Sequence, residues 1–308
     1  MIRAKQRDPA KVLPEVTWDT IAPPYLDYLY FQDCEAYPLR ALATGFDMVN
    51  AWWLIEAATL AYADPSFARE HFQRAGLPEV RWFSGNSTQG YVAGNDEVLI
   101  VAFRGTEIRP RPGTLNFGNI VADLMTDVEF WLVESGRRGK VHRGFKRGLE
   151  EVWELQGLYD YIRTQHTGNR SLWFTGHSLG GALATLAAQW YGPGCTLYTF
   201  GSPRVGDLEF VESLAVSAYR FVNHRDVVTR VPPAGLYRHV GELYSIDSRG
   251  HIHPNPRPRE DAAAESGAMA DFLGSLDRME SGSMSFIPHG ILDHVPLLYA
   301  THIWNNIP

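Results

Sequence analysis

The sequence predicts an α/β fold, a central and mostly parallel sheet flanked by helices, and three observations carry that expectation. Strand-like and helix-like segments alternate from about Trp82 to the C-terminus. "EVLIVAF" (97–103) is a continuous apolar run, as a strand buried on both faces requires. "SLWFTGHSLGGALATLAAQWY" (171–191) joins an apolar run to an alanine-rich run through a serine bracketed by glycines, which reads as strand, tight turn, helix. The chain has 308 residues, 45% hydrophobic and 20% charged, enough for a full core without a metal or disulfide staple. Its net charge of -7 comes without long like-charge blocks, so the basic patch of a nucleic-acid-binding protein is missing.

Taken in order, residues 1–45 are rich in proline and aromatics, including "APPYLDYLYF", and read as an N-terminal extension packing on the main body. Residues 46–308 read as one domain. Trp52, Ile55, Ala58 and Tyr62 recur at helical spacing, predicting a helix over 46–75 that Gly76 and Pro78 stop. Strands follow between Trp82 and Phe103, punctuated by Gly85-Asn86 and Gly94-Asn95. In 107–140 a Pro- and Gly-rich loop leads to Phe117, Val121, Leu124, Val128 and Trp131, spaced three or four apart and interrupted by Asp123, Asp127 and Glu129. That pattern predicts a short amphipathic helix running into a strand or loop. "VHRGFKRGLEEVWELQGLYDYIRTQ" (141–165) reads as a helix entered through Gly144. "SLWFT", "TLYTFG", "AYRFVNH" and "HVGELYSID" read as strands, with the helix "GGALATLAAQWY" after the first. Residues 248–285 read as a solvated loop leading into a helix.

The same sequence sets several classes aside. Residues 171–203 carry no Asp, Glu, Lys or Arg, but their glycines, prolines and polar residues break the pattern of a membrane span. His251 and His253 have no accompanying ligands, so no metal site is expected. Cys34 and Cys195 form neither a disulfide framework nor a zinc spacing, and read as free thiols. "MIRAKQRDPAKVLPEV" has no apolar core and no small-residue cleavage site, so a signal peptide is not expected and a cytoplasmic location is favoured over a secreted one.

The chemistry centres on Ser178. A G-x-S-x-G turn between strand and helix is a nucleophile elbow: the serine backbone is strained and its neighbours, Gly176 and Gly180, must be small. The turn lifts the hydroxyl to the end of the sheet, and the backbone N–H of Leu179 faces a developing oxyanion. A serine needs a base, and the base an orienting carboxylate. Asp207, Asp226 and Asp247 lie downstream; Asp226, directly after "AYRFVNH", is preferred. Among His239, His251, His253, His289, His294 and His302, His294 is preferred because it opens an apolar helix-like segment from which a loop turns the ring back over the sheet.

Six motifs in order resemble the class 3 lipases, the fungal-lipase-like family of α/β hydrolases: "VAFRGTE" (101–107), "VHRGF" (141–145), "TGHSLGGALA" (175–184), "TFGSPRVGD" (199–207), "RFVNHRDVVTRVPP" (220–233) and "DHVPLLY" (293–299). The resemblance covers residues 46–307 and leaves 1–45 and 248–285 without a counterpart. It implies an α/β-hydrolase fold and a triad of Ser178, Asp226 and His294. It also implies an oxyanion hole from the N–H groups of Thr106 and Leu179, helped by the Thr106 hydroxyl, and a lid over 107–122. The implied activity is carboxylic-ester hydrolysis without metal or organic cofactor, foremost on triacylglycerols at a lipid–water interface. Phospholipase A1 and feruloyl-type esterase are the alternatives with the same triad, and a catalytically silent lipid-binding fold is the alternative of a different class.

Overall fold

The computed structural model describes residues 10–18, 20–105, 131–255 and 287–308. Strands β1 (Glu79–Ser84), β2 (Gln89–Gly94), β3 (Val98–Phe103), β6 (Ser171–His177), β7 (Cys195–Phe200), β8 (Ser217–Asn223), β9 (Glu242–Ile246) and β10 (Ile252–Pro254) form an 8-stranded sheet in that spatial order. The pairs from β3 through β9 are parallel, and the first three strands and the last two pair antiparallel. β4 (Leu132–Glu134) and β5 (Lys140–His142) make a separate 2-stranded sheet. The helices are α1 (Met48–Leu60), α2 (Pro65–Arg74), α3 (Arg143–Trp153), α4 (Leu158–Gln165), α5 (Leu179–Tyr191), α6 (Leu208–Ser213), α7 (His289–Leu292) and α8 (Pro296–Asn305).

The apolar run in β3 is buried throughout because the sheet is covered on both faces. Side chains alternate across a strand, so Leu99, Val101 and Phe103 join one core with α3 and α5 residues such as Leu149 and Leu183. Val98, Ile100 and Ala102 join the other, with Trp52 and Ile55 of α1 and Ile303 of α8. The strand register brings Phe103, His177 and Phe200 to one end of the sheet, where the following loops begin.

Two expected helices are each divided. The run over 46–75 breaks between α1 and α2, because Pro65 lacks an N–H to continue a helix and instead starts a new one. The run over 141–165 breaks before α4, where Gly157 takes the left-handed conformation at φ 70°. The segment after 248 is not loop throughout its described part: Ile252–Pro254 adds an antiparallel edge strand to β9. His251 precedes that edge strand, His253 lies in it, and both lie against Asp247, with His253 Nε2 at 2.9 Å from its Oδ2. Among the described residues no group of side chains suits a metal ion, and no helix is long and apolar enough to cross a membrane. Cys34 and Cys195 are not bridged.

One buried carboxylate gathers part of residues 20–45. Glu56, in the middle of α1, accepts from Tyr28 Oη at 2.6 Å, Trp52 Nε1 at 3.2 Å and the Phe31 N–H at 3.0 Å. Burial raises its pKa above the usual carboxylate range. Ahead of that stretch, Lys11 and Asn305 of α8 exchange hydrogen bonds at 2.8 and 3.0 Å. Replacing Glu56 with leucine keeps the bulk but leaves three donors without an acceptor. The Glu56→Leu protein should lose about 2–4 kcal/mol of unfolding free energy in a urea titration. A loss under about 0.5 kcal/mol would mean that this clasp holds nothing.

Two framework histidines set a pH dependence. Burial pushes His177 well below the ordinary histidine range, with the His294 charge adding to it. Burial does the same to His239, with the Arg220 and Arg204 charges adding. Both rings are therefore neutral in the folded protein, while the unfolded chain protonates them below about pH 6.5. Unfolding then takes up protons, so their contribution to stability is present above about pH 6.5 and falls as the pH drops below it. The slope is about 1.4 kcal/mol per pH unit for each ring. Denaturant titrations from pH 7 to pH 5 should show this fall, and His239→Gln should remove about half of the histidine-driven slope. An unchanged slope in that variant would contradict the assignment.

Candidate active site

Ser178 sits between the end of β6 and the first turn of α5, at φ 59° and ψ -132°. A non-glycine residue pays for this conformation with about 1–3 kcal/mol of strain, which the surroundings must enforce. They do so by close packing. A Cβ on Gly176 would run into the carbonyl of Gly180, and one on Gly180 into the carbonyl of Phe103 at the end of β3. The Ser178 N–H donates to the Phe200 carbonyl of β7 at 3.0 Å, so the turn is pinned to the neighbouring strand. Leu179 is the first residue of α5, and N–H groups in a first helical turn have no partner within the helix. They converge at the positive end of its dipole.

Asp226 and His294 meet at the next residue of β7's outgoing loop. His294 Nδ1 donates to Asp226 Oδ2 at 2.8 Å, and both side chains are buried. Gly201 makes room for the pair: a Cβ there would lie 2.7 Å from Asp226 Oδ2 and 3.0 Å from His294 Nδ1. Phe200 thus holds the Ser178 N–H while the next residue, Gly201, lies against the Asp226–His294 pair. Asp226 Oδ2 also accepts from Tyr299 Oη at 2.6 Å, and its Oδ1 accepts from the Val228 N–H at 2.9 Å. Burial, with the charge of Asp226, raises Tyr299 well above the ordinary tyrosine range, so it stays a donor. A carboxylate only accepts, so the His294 proton is on Nδ1 and its Nε2 carries the lone pair.

The loops bearing the pair are tied to each other. Asp293 Oδ2 accepts from the Arg225 N–H at 3.0 Å and lies 3.2 Å from His224 Nδ1. Asn223 Nδ2 donates to the Asp293 carbonyl at 3.0 Å. Burial raises the Asp293 carboxyl above the usual range. Behind the elbow, His177 Nε2 lies 2.7 Å from the His294 carbonyl and its Nδ1 lies 3.1 Å from Tyr62 Oη.

Of the residues singled out from sequence, the structure brings Asp226 and His294 together and sets the Ser178 main chain next to them, with Leu179 opening the helix. Thr106 and the lid segment with its stripe Phe117, Val121, Leu124 and Val128 lie outside the described residues. Trp131, at the end of that stripe, is largely exposed. The other candidates have structural partners elsewhere. Asp207 caps α6 through the Phe210 N–H at 2.9 Å and takes the Lys140 N–H at 3.1 Å. Asp247 holds the β9–β10 hairpin. His239 precedes β9 rather than opening it, with Nε2 2.8 Å from the Thr229 carbonyl. His289 lies in α7, and His302 lies in α8 with its ring packed against Gly250. Sequence reading left Tyr299, His177 and Tyr62 unassigned. Tyr299 closes the motif "DHVPLLY", which was a usable signal; Tyr62 lies 115 residues from its partner and carried none.

Residues 100–236 match the family model described as Lipase (class 3). The secreted mono- and diacylglycerol lipase 1 of Fusarium solani is 35% identical over 159 residues, covering 48% of this chain and 44% of that protein. A lipase of Rhizomucor miehei is 34% identical over 164 residues, covering 49% and 42%. The aligned part spans less than half the length of these relatives. The solved triacylglyceride lipase of Rhizomucor miehei superposes with a TM-score of 0.53 at 24% identity, over 79% of this chain and 90% of that one, and shares the fold. With its mostly parallel sheet, its serine elbow and these matches, the chain is similar to the class 3 lipases over residues 100–236 and has the α/β-hydrolase fold.

Proposed function

We propose that this protein hydrolyses carboxylic esters of lipids, foremost triacylglycerols, through an acyl-enzyme on Ser178. The observation that carries the reading is the buried His294–Asp226 pair resting on Gly201, beside a serine held at φ 59°. In the first half-reaction Ser178 Oγ attacks the ester carbonyl as His294 Nε2 takes its proton. The tetrahedral oxyanion forms against the N–H groups of Leu179 and Thr106, with the Thr106 hydroxyl assisting. Collapse of the intermediate breaks the C–O bond, and His294 returns the proton to the departing alcohol. Water then repeats the sequence against the acyl-serine, releasing the fatty acid. Asp226 holds the imidazole with its Nδ1–H inward and stabilises the imidazolium that forms twice per turnover. The Fusarium solani relative, named for mono- and diacylglycerols, supports acylglycerols, and relatives named phospholipase A1 keep phospholipids as the alternative for the same machinery. Residues 46–308 form the catalytic domain in this reading and residues 1–45 an extension to it.

Ser178→Ala should lower ester hydrolysis by several orders of magnitude at an unchanged melting temperature. Asp226→Asn and His294→Ala should be severely impaired, while Asp207→Asn and His302→Ala keep substantial activity. Initial rates on p-nitrophenyl esters of graded chain length, emulsified triglyceride and phospholipid read all five variants and the substrate class together. A Ser178→Ala protein retaining more than about a tenth of the wild-type rate would remove the nucleophile from the scheme.

An insoluble substrate favours a site that is covered in water and opened at a lipid surface. The segment ahead of β4, from 107 through the stripe that ends at Val128, is therefore taken as an amphipathic lid, its apolar stripe facing the site when closed and lipid when open. Leu124→Asp or Phe117→Asp should depress activity on emulsified long-chain triglyceride far more than on dissolved short-chain ester. An unchanged ratio of the two activities, together with a large drop in melting temperature, would make the segment a fixed part of the core instead.

A further inference from the structure

Among the buried histidines that the mechanism leaves unused, one is the residue next to the nucleophile. His177 ends β6 and is enclosed on every side. Its Nε2 lies 2.7 Å from the backbone carbonyl of His294. A carbonyl oxygen only accepts, so Nε2 carries the proton. Its other nitrogen, Nδ1, lies 3.1 Å from Tyr62 Oη. A neutral imidazole has one proton, so Nδ1 accepts and Tyr62 donates. Burial holds the Tyr62 phenol above its ordinary range, so the donor is permanent. Tyr62 is itself in touch with the Gly105 backbone, one residue before Thr106. The path thus joins three loops: the one after β3, the elbow and the one carrying His294.

We propose that Tyr62 and His177 are positioning residues for the general base, with Tyr62 Oη–H donating to His177 Nδ1 and His177 Nε2–H holding the backbone carbonyl of His294. The inference rests on the reading of Ser178 and His294 as nucleophile and base. Asp226 fixes one edge of the His294 ring through the side chain, and His177 fixes the same residue through its main chain. Together they constrain both ends of the Cα-to-ring lever, which one anchor alone leaves free to swing. The two imidazoles stand 4.4 Å apart between ring centroids. A charge on His177 would oppose formation of imidazolium on His294 at that range, so the position calls for a ring that donates while staying uncharged. Burial among apolar side chains supplies that condition.

The test is steady-state kinetics on a dissolved p-nitrophenyl ester, with active sites counted by a fluorophosphonate titrant so that kcat refers to competent sites only. His177→Leu removes both hydrogen bonds and should lower kcat per site by about ten- to a hundredfold, with KM within about twofold of wild type. His177→Gln restores an N–H at the Nε2 position and an acceptor toward Tyr62, and should recover kcat to within about threefold of wild type. Tyr62→Phe, the mildest change, should lower kcat by about three- to tenfold at unchanged KM. A purely structural role would reduce the number of titratable sites and the melting temperature and leave kcat per site intact. The proposal is overturned if Tyr62→Phe and any titratable His177→Leu protein both keep kcat per site within about twofold of wild type, or if glutamine is as damaging as leucine. Should His177→Leu yield no folded protein, the Tyr62→Phe and His177→Gln values decide by themselves. Ser178→Ala in the same series separates the two levels: activity there would remove the underlying triad, whereas an inactive Ser178→Ala beside a fully active Tyr62→Phe removes only the positioning pair.

Discussion

The close approach of two Cβ-less residues, Gly176 and Gly180, is the constraint on which the rest of this site depends. It allows Ser178 to adopt φ 59° and lets α5 start against the carbonyl of Phe103. A methyl group at either position would push the helix off the end of β3 and flatten the turn. The packing energy comes from elsewhere. α5 is buried along nearly its whole length, and the fully buried Phe103, Phe174 and Phe200 stand in the strands beneath the turn. Burying an aromatic or leucine side chain contributes about 1.5–3 kcal/mol, so a few of them offset the strain at one serine. A rigid, apolar framework thus holds one residue in a conformation it would not choose.

Polar groups behind the serine obey a second rule, that a buried charge must be surrounded by donors. Asp226 has three: the His294 ring, the Tyr299 hydroxyl and the Val228 N–H. Each comes from a different stretch of chain, so satisfying the carboxylate also locks α8 and the loop after β8 together. Asn223 and Asp293 repeat the device one step away. Glu56 applies it within α1, where a carboxylate gathers Tyr28, Phe31 and Trp52 and holds the chain that precedes α1. In both places a polar group without regular secondary structure to serve it defines the path of a loop.

The strands and the elbow were legible because their signals are local. A two-sided apolar run and a glycine-bracketed serine can each be read within about ten residues, and "EVLIVAF" and "TGHSLGGALA" are found where they were expected. Asp226 was legible from its place directly after a strand, and His294 from the apolar helix that follows it. The divided helices were not, because helical periodicity continues across Asp64-Pro65 and across Gly157 while the backbone does not. The edge strand at Ile252–Pro254 was missed because an edge needs only one apolar residue facing inward, here Ile252. Tyr62 and His177 were invisible for a different reason: their roles are pairings across the fold, and no spacing along the chain encodes them.

The most direct measurement of the central claim is the site of covalent capture by an organophosphate ester such as diethyl p-nitrophenyl phosphate. Phosphorylation should release one equivalent of p-nitrophenol, abolish ester hydrolysis in proportion to the adduct formed, and map by peptide mass spectrometry to Ser178. An adduct on another residue, or full hydrolytic activity in protein stoichiometrically modified at Ser178, would contradict the account.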